Sequence, residues 1–147
     1  MKKVYKHKTL SPDVYLGRVE DDGKVYRNLG GPRKPDHYVG RVDLQTGKVY
    51  SAEAGPETLA GHVELDSGKV YLTRLSHTDY IGHVNDKGKI YHHKRMAFDQ
   101  YLGKIKDMLS YAYGGAAFLL LVLPVFEAEL AKEEPASTPA SEGSSKK

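Results

Sequence analysis

Two histidines, His62 and His83, stand at equivalent places in a repeated pattern, and His92-His93 follow shortly after. Imidazoles brought close together could hold a metal ion such as zinc. Two facts oppose that chemistry. The same column carries Arg18, Arg41 and Lys104 in other copies of the pattern, and these do not replace imidazole as a ligand. Equivalent positions on successive hairpins would also lie two strand spacings apart, about 9–10 Å, beyond the reach of one ion. The column selects a basic group, so neither a metal nor a cofactor is expected. Asp13, Asp36, Asp79 and Asp99 recur just before the next apolar stretch, where a turn-initiating side chain is a simpler explanation than general-acid chemistry. No Ser-His-Asp set or carboxylate pair stands apart from the repeat, and catalysis is not expected. Cysteine is absent, which removes disulfides and thiolate ligands without fixing the compartment.

The elements that position these residues follow from a recurrent tripeptide. Lys3-Val4-Tyr5, Lys24-Val25-Tyr26, Lys48-Val49-Tyr50, Lys69-Val70-Tyr71 and Lys89-Ile90-Tyr91 punctuate the chain. Four of them are approached by an apolar residue, Gly, a basic residue, Val, a polar stretch and a second Gly. A fifth approach, Leu102-Gly103-Lys104-Ile105, runs instead into an uncharged segment. The first Gly falls at 17, 40, 61, 82 and 103, a period near 21 that marks a repeat architecture.

Val and Tyr alternating around a Gly-ended polar loop predict a β-hairpin. The loops Asp21-Asp22-Gly23 and Asp86-Lys87-Gly88, and the longer Leu44 to Gly47 and Leu65 to Gly68, all give one register. Val19 then faces Val25, Val42 faces Val49, Val63 faces Val70, and Val84 faces Ile90. Next to them come Glu20–Lys24, Asp43–Lys48, Glu64–Lys69 and Asn85–Lys89. On the same outer face lie Arg18–Tyr26, Arg41–Tyr50, His62–Tyr71 and His83–Tyr91, each a basic group beside a ring. These eight residues form the candidate binding face. The glycines at 17, 40, 61, 82 and 103 fall on the aliphatic face, implying close approach by a neighbouring element or by the rings of Tyr15, Tyr38, Tyr80 and Tyr101. The expected fold is mainly β, tandem hairpins of ~21 residues in a solenoid or meander. A small closed barrel is the alternative, with Lys3-Val4-Tyr5 pairing the last approach strand.

Met108 to Phe126 is nineteen residues without a charge. As a helix it spans roughly 28 Å, close to the hydrocarbon thickness of a bilayer. Lys104 and Lys106 flank one end, and Glu127, Glu129, Glu133 and Glu134 the other. Positive-inside bias then places the repeats in the cytoplasm and the tail outside. The competing reading is a buried helix docking on the repeats, or a subunit contact. Gly114-Gly115 and Pro124 weaken a helix in water but are tolerated on a packed partner. The division is 1–106 for the repeats, 107–127 for a single transmembrane helix, and 128–147 for a disordered acidic and Pro/Ser-rich tail.

Tyr15-x-Gly17 and Tyr38-x-Gly40, followed by a Gly-Lys turn, resemble MORN repeats. Asp22-Gly23-Lys24-Val25 and Asp66-Ser67-Gly68-Lys69-Val70 resemble YD repeats. The chain lacks the recurrent Trp of the first and the Tyr-Asp order of the second, and either resemblance implies only a scaffold or interaction surface. Residues 1–107 hold 19 Lys and Arg against 14 Asp and Glu, too mild an excess to favour nucleic acid. The expected function is a non-catalytic, membrane-anchored scaffold or accessory subunit with a protein partner or a second copy. The alternative is a recognition module binding glycan, anionic lipid or another polyanion through the basic and tyrosine ladder.

Overall fold

The computed structural model describes residues 1–30, 36–75 and 77–137, with side chains through 132. Ten antiparallel strands form: β1 (Lys2–Lys6), β2 (Val14–Val19), β3 (Lys24–Arg27), β4 (His37–Val42), β5 (Lys48–Ser51), β6 (Thr58–Val63), β7 (Lys69–Arg74), β8 (His77–Val84), β9 (Lys89–His92) and β10 (Gln100–Ile105). They close into a barrel in the order β1-β10-β9-β8-β7-β6-β5-β4-β3-β2. The open solenoid does not form. Every edge strand would otherwise present unpaired backbone groups, and closure removes both edges at once.

The hairpin register derived from the loops is the one observed. Val19 pairs with Val25, Val42 with Val49, Val63 with Val70, and Val84 with Ile90. Closure uses the same rule. Val4 pairs with Ile105 and Tyr5 with Lys104, so the two ends of the strand region assemble a fifth hairpin without a connecting turn.

Between neighbouring hairpins every ladder carries a bulge. Val25 pairs with Gly40 and Tyr26 with Tyr38, leaving Val39 unmatched. Leu16, Ala60, Ile81 and Leu102 are skipped in the same way. An extra residue on one strand reverses the face taken by everything before it. Tyr15, Tyr38, Tyr80 and Tyr101 are therefore thrown outward, and they do not cover the glycines as their spacing suggested. What approaches the glycines is backbone and helix. A Cβ on Gly82 (φ +153°) would lie 2.0 Å from the Tyr91 carbonyl oxygen and 3.0 Å from the Phe118 ring.

One valine or isoleucine from each strand builds an inner ring, and all ten are at most 2% exposed. The ring closes on the uncharged segment itself. Helix α1 (Tyr111–Ala117), a π-helical turn (Phe118–Val122) and α2 (Leu123–Ser137) follow one another as a central helix. Ala112 to Leu123 are buried within the barrel. Gly114 and Gly115 lie where there is no room for a side chain, since a Cβ at Gly115 would sit 2.4 Å from that of Val63. Phe118, Leu119 and Leu120 point at Gly82, Gly61 and Gly40. The π turn lies just before Pro124, relieving the clash a proline ring makes with the preceding turn.

Tyr111–Lys132 is long and apolar enough to cross a membrane, and 61% of its most apolar window is buried inside the protein. The boundary near residue 107 thus marks a change from strand to helix while both parts share one core. Residues 128–137, expected to begin the tail, are helical; 138–147 lie outside the described residues.

Candidate interaction surface

Strand alternation turns the basic column outward, and each of its members lies on the tyrosine opposite. The Arg18 guanidinium is 4.5 Å from the Tyr26 ring centre and that of Arg41 is 4.4 Å from Tyr50. His62 stacks on Tyr71 at 4.8 Å and His83 on Tyr91 at 5.0 Å, both nearly parallel. All eight residues of the predicted face are paired as expected. Lys104 extends the pattern across the seam, 5.8 Å from the Tyr5 ring.

The bulge then adds a second ring to most units. Tyr15 meets Tyr5, Tyr38 meets Tyr26, Tyr80 meets Tyr71 and Tyr101 meets Tyr91, each at 5.6 Å and tilted. In these four outer tyrosines burial against the neighbour is the first cause raising the phenol pKa. They stay protonated, as apolar surfaces with a polar tip.

A third component was not read from the sequence. In four of the five units the acidic residue before the approach strand reaches back to the basic group of the preceding hairpin. Arg18 pairs with Asp36 and also with Glu20. Arg41 pairs with Glu57 at 2.9 Å, and their hydrogen bonds raise the Arg41 pKa. His83 lies 3.4 Å from Asp99, and Lys104 lies 3.6 Å from Asp13. Asp13, Asp36 and Asp99 are thus ion-pair partners, where turn initiation had been expected; Asp79 instead meets His77 at 3.2 Å. The signal was present in the recurrence of acid, x, Tyr or Leu, x, Gly at 13–17, 36–40, 57–61 and 99–103, from which Asp79 stands one place too close to its Gly, but only the bulge brings acid and base to one face.

The acidic and amide side chains flanking the hairpin turns are also used locally. Asp43 and Asn85 accept backbone N–H groups of their own loops, and Glu64 accepts a hydrogen bond from the Ser67 hydroxyl. These bonds hold the Asp43 and Glu64 carboxyls below their ordinary range. The backbone pairing Glu20–Lys24, Asp43–Lys48, Glu64–Lys69 and Asn85–Lys89 is as derived, yet the acidic side chains serve the turns and neighbouring groups.

Polar side chains also break the apolar pattern on the inner side, Lys2, Lys6 and His92 among them. Lys2 donates to Asp21 at 2.6 Å and lies 4.5 Å from the Tyr113 ring centre. Lys6 lies 3.4 Å from Glu129. His92 packs on Phe126 with its Nδ1 buried and without a hydrogen-bond partner. Among the described residues no three His, Asp or Glu side chains gather as a metal would require. Grooves among the described residues include one between Leu65, Asp86 and the segment Met108–Tyr111, and one at the far end of the barrel between Lys6, Lys8, Tyr101 and Glu129.

No protein family, curated protein or solved structure matches the chain.

Proposed function

We propose that the protein is a non-catalytic docking module that works at a membrane surface, a β-barrel that carries its own apolar helix as its core. The observation that carries this reading is the filling of the lumen by Ala112–Leu123. Small-molecule sites in barrels need an interior cavity or mouth, and here the helix takes that place. What remains for function is the outside. Its basic groups are largely matched by Asp13, Asp36, Glu57 and Asp99, which favours shape and aromatic surface over capture of a strongly charged polymer.

The apolar helix supports a membrane role in either of two ways. A single-pass arrangement, with the repeats cytoplasmic, is supported by its length and composition. It requires the helix to leave the barrel and the inner ring to face water, burying in lipid what is already buried in protein. We favour peripheral attachment with the helix retained. Alkaline carbonate extraction of membranes from cells making the full chain tests this. Sedimentation with membranes at neutral pH and release by carbonate is expected. Resistance to carbonate would establish the span, and absence from membranes would remove the membrane role.

The second reading, a glycan or polyanion binder, is favoured by the continuous run of stacked rings on the outer face. Replacing Arg18, Arg41, His62 and His83 together by Gln should leave membrane attachment intact in the docking reading and abolish it in the other.

A further inference from the structure

Strands alternate in direction, so the barrel has a turn end, where the helix enters, and a connector end, where it leaves. Glu127 meets Arg74 and Glu129 meets Lys6 at that second end. Three adjacent connectors there carry apolar residues in full contact with water. Leu10 between β1 and β2 is 101% exposed, Leu75 between β7 and β8 is 107%, and Met96 and Phe98 between β9 and β10 are 103% and 96%. In the closed order these connectors are neighbours.

The backbone makes the choice of residue more unusual. Leu10 (φ 63°), Leu75 (φ 32°) and Met96 (φ 56°) adopt the left-handed conformation, where Gly or Asn is normally preferred. An apolar side chain at each tip is thus disfavoured by solvent and by backbone together, and among the described residues none covers it.

Cations flank every tip. Lys8 precedes Leu10, Arg74 precedes Leu75, and Lys94-Arg95 precede Met96. Nearby acids Asp13 and Asp99 are held by Lys104 and by His83 and His93. On the far side of the rim, the β5–β6 connector carries Glu53 and Glu57 with Ala52, Ala54, Gly55 and Pro56. The three connectors thus form an apolar and basic arc; of the other two, β5–β6 has its Glu53 and Glu57 held by Arg27 and Arg41, and β3–β4 carries Leu29, Arg33 and Lys34 in its sequence.

We infer that this arc is a membrane-insertion edge that docks on an anionic bilayer surface, with Leu10, Leu75, Met96 and Phe98 reaching below the headgroups and Lys8, Lys94 and Arg95 at the phosphates. It rests on the membrane part of the reading above and adds which surface, which orientation and which lipid charge. Shallow apolar insertion and basic attraction reinforce each other in this way. Glu127 and Glu129 of α2 are taken by Arg74 and Lys6 at this end.

The test uses the purified full chain and vesicles of phosphatidylcholine with or without phosphatidylserine. Wild type should sediment with the phosphatidylserine vesicles, weakly with the neutral ones, and less in high salt. L10N/L75N/M96N/F98S, which places Asn at the three left-handed tips, should keep or raise its thermal midpoint yet bind about tenfold or more weakly. K8Q/K94Q/R95Q should lose the preference for phosphatidylserine by at least about tenfold. The chain contains no Trp, so Phe98→Trp gives a single reporter whose emission should shift to the blue on phosphatidylserine vesicles, whereas Leu44→Trp at the turn end should not. Binding by the tip variant equal to wild type, or no shift at position 98, overturns the proposal even if the protein proves membrane-bound in cells. Wild type that ignores vesicles but forms a dimer lost in the tip variant overturns it in favour of a second copy.

Discussion

Four hairpins of the barrel are tied by a turn, and the fifth, β10 with β1, is assembled from the two ends of the strand region. Both kinds show the same pairing, Val19 with Val25 and Ile105 with Val4. The turn therefore does not set the register; the inward valine and outward basic-tyrosine pattern does, and the turn only accommodates it. The difference lies at one position. Gly23, Gly47, Gly68 and Gly88 end the tied loops with φ between 81° and 96°. At the seam Lys2 stands there as ordinary extended strand, its chain folded over Tyr113 and its ammonium on Asp21.

The harshest way to break the comparison is to remove residues 1–6. This deletes Val4 from the inner ring and leaves β2 and β10 as open edges beside an exposed apolar helix. Cooperative thermal unfolding followed by near-ultraviolet circular dichroism should disappear, since the loss rivals the total stability of a small domain, about 5–15 kcal/mol. A truncated chain melting at the wild-type temperature would show that closure contributes nothing.

Next in size is Gly68→Ala. A Cβ there would be 2.2 Å from the Val84 carbonyl oxygen and 2.9 Å from the Tyr111 ring, in a left-handed backbone (φ +81°). Backbone strain and overpacking together should cost roughly 2–4 kcal/mol in urea unfolding. Lys2→Gly at the seam, which gives the fifth hairpin the residue of the other four, should cost only about 1 kcal/mol from the lost ring and carboxylate contacts. Equal costs at the two sites would mean that the glycine serves the inner wall and not the turn.

Much of this fold is legible from residue order because each rule is local. Loop length and a terminal Gly fix the hairpin, and alternation fixes which face meets solvent. The option of closing the array through Lys3-Val4-Tyr5 was also readable. What escaped was the single unmatched residue at Leu16, Val39, Ala60, Ile81 and Leu102, because an apolar residue beside Gly reads equally well as regular strand. That one residue hid two consequences: the outward tyrosines, and the acids Asp13, Asp36 and Asp99 arriving beside the basic column. The central helix was ambiguous for a different reason. A helix surrounded by protein and one surrounded by lipid need the same composition, and only Gly114-Gly115 against Val84 and Val63 distinguishes a tightly walled neighbour from fluid chains.

On the outer face the effects should be smaller. Arg41→Gln removes an exposed ion pair with Glu57 and contact with Tyr50, worth about 0.2–1 kcal/mol. Part of that loss should vanish when wild type and variant are compared in high salt, the signature of a screened pair.

The finest distinction between tied and seam hairpins is the residue two places after the inner Val or Ile: Lys6 at the seam, but Arg27, Ser51, Leu72 and His92 elsewhere. Lys6 finds Glu129, whereas His92 packs on Phe126 and lacks a partner for Nδ1. Burial is the first cause holding its pKa below the usual 6.5. The folded protein therefore keeps His92 neutral while the unfolded chain takes up a proton, so stability should fall as pH drops below 6.5 and level off beneath the folded value. Asp21, Asp43 and Glu64 are held low by their hydrogen bonds. Their contribution is present above the ordinary carboxylate range, 3.8 to 4.5, and is lost only at lower pH. The interval from 4.5 to 6.5 thus isolates the histidine among these four groups. His92→Leu, the residue that unit three carries at this place, should flatten the urea midpoint across that interval. A slope as steep as in wild type would assign it to another histidine and leave the missing partner at His92 without consequence.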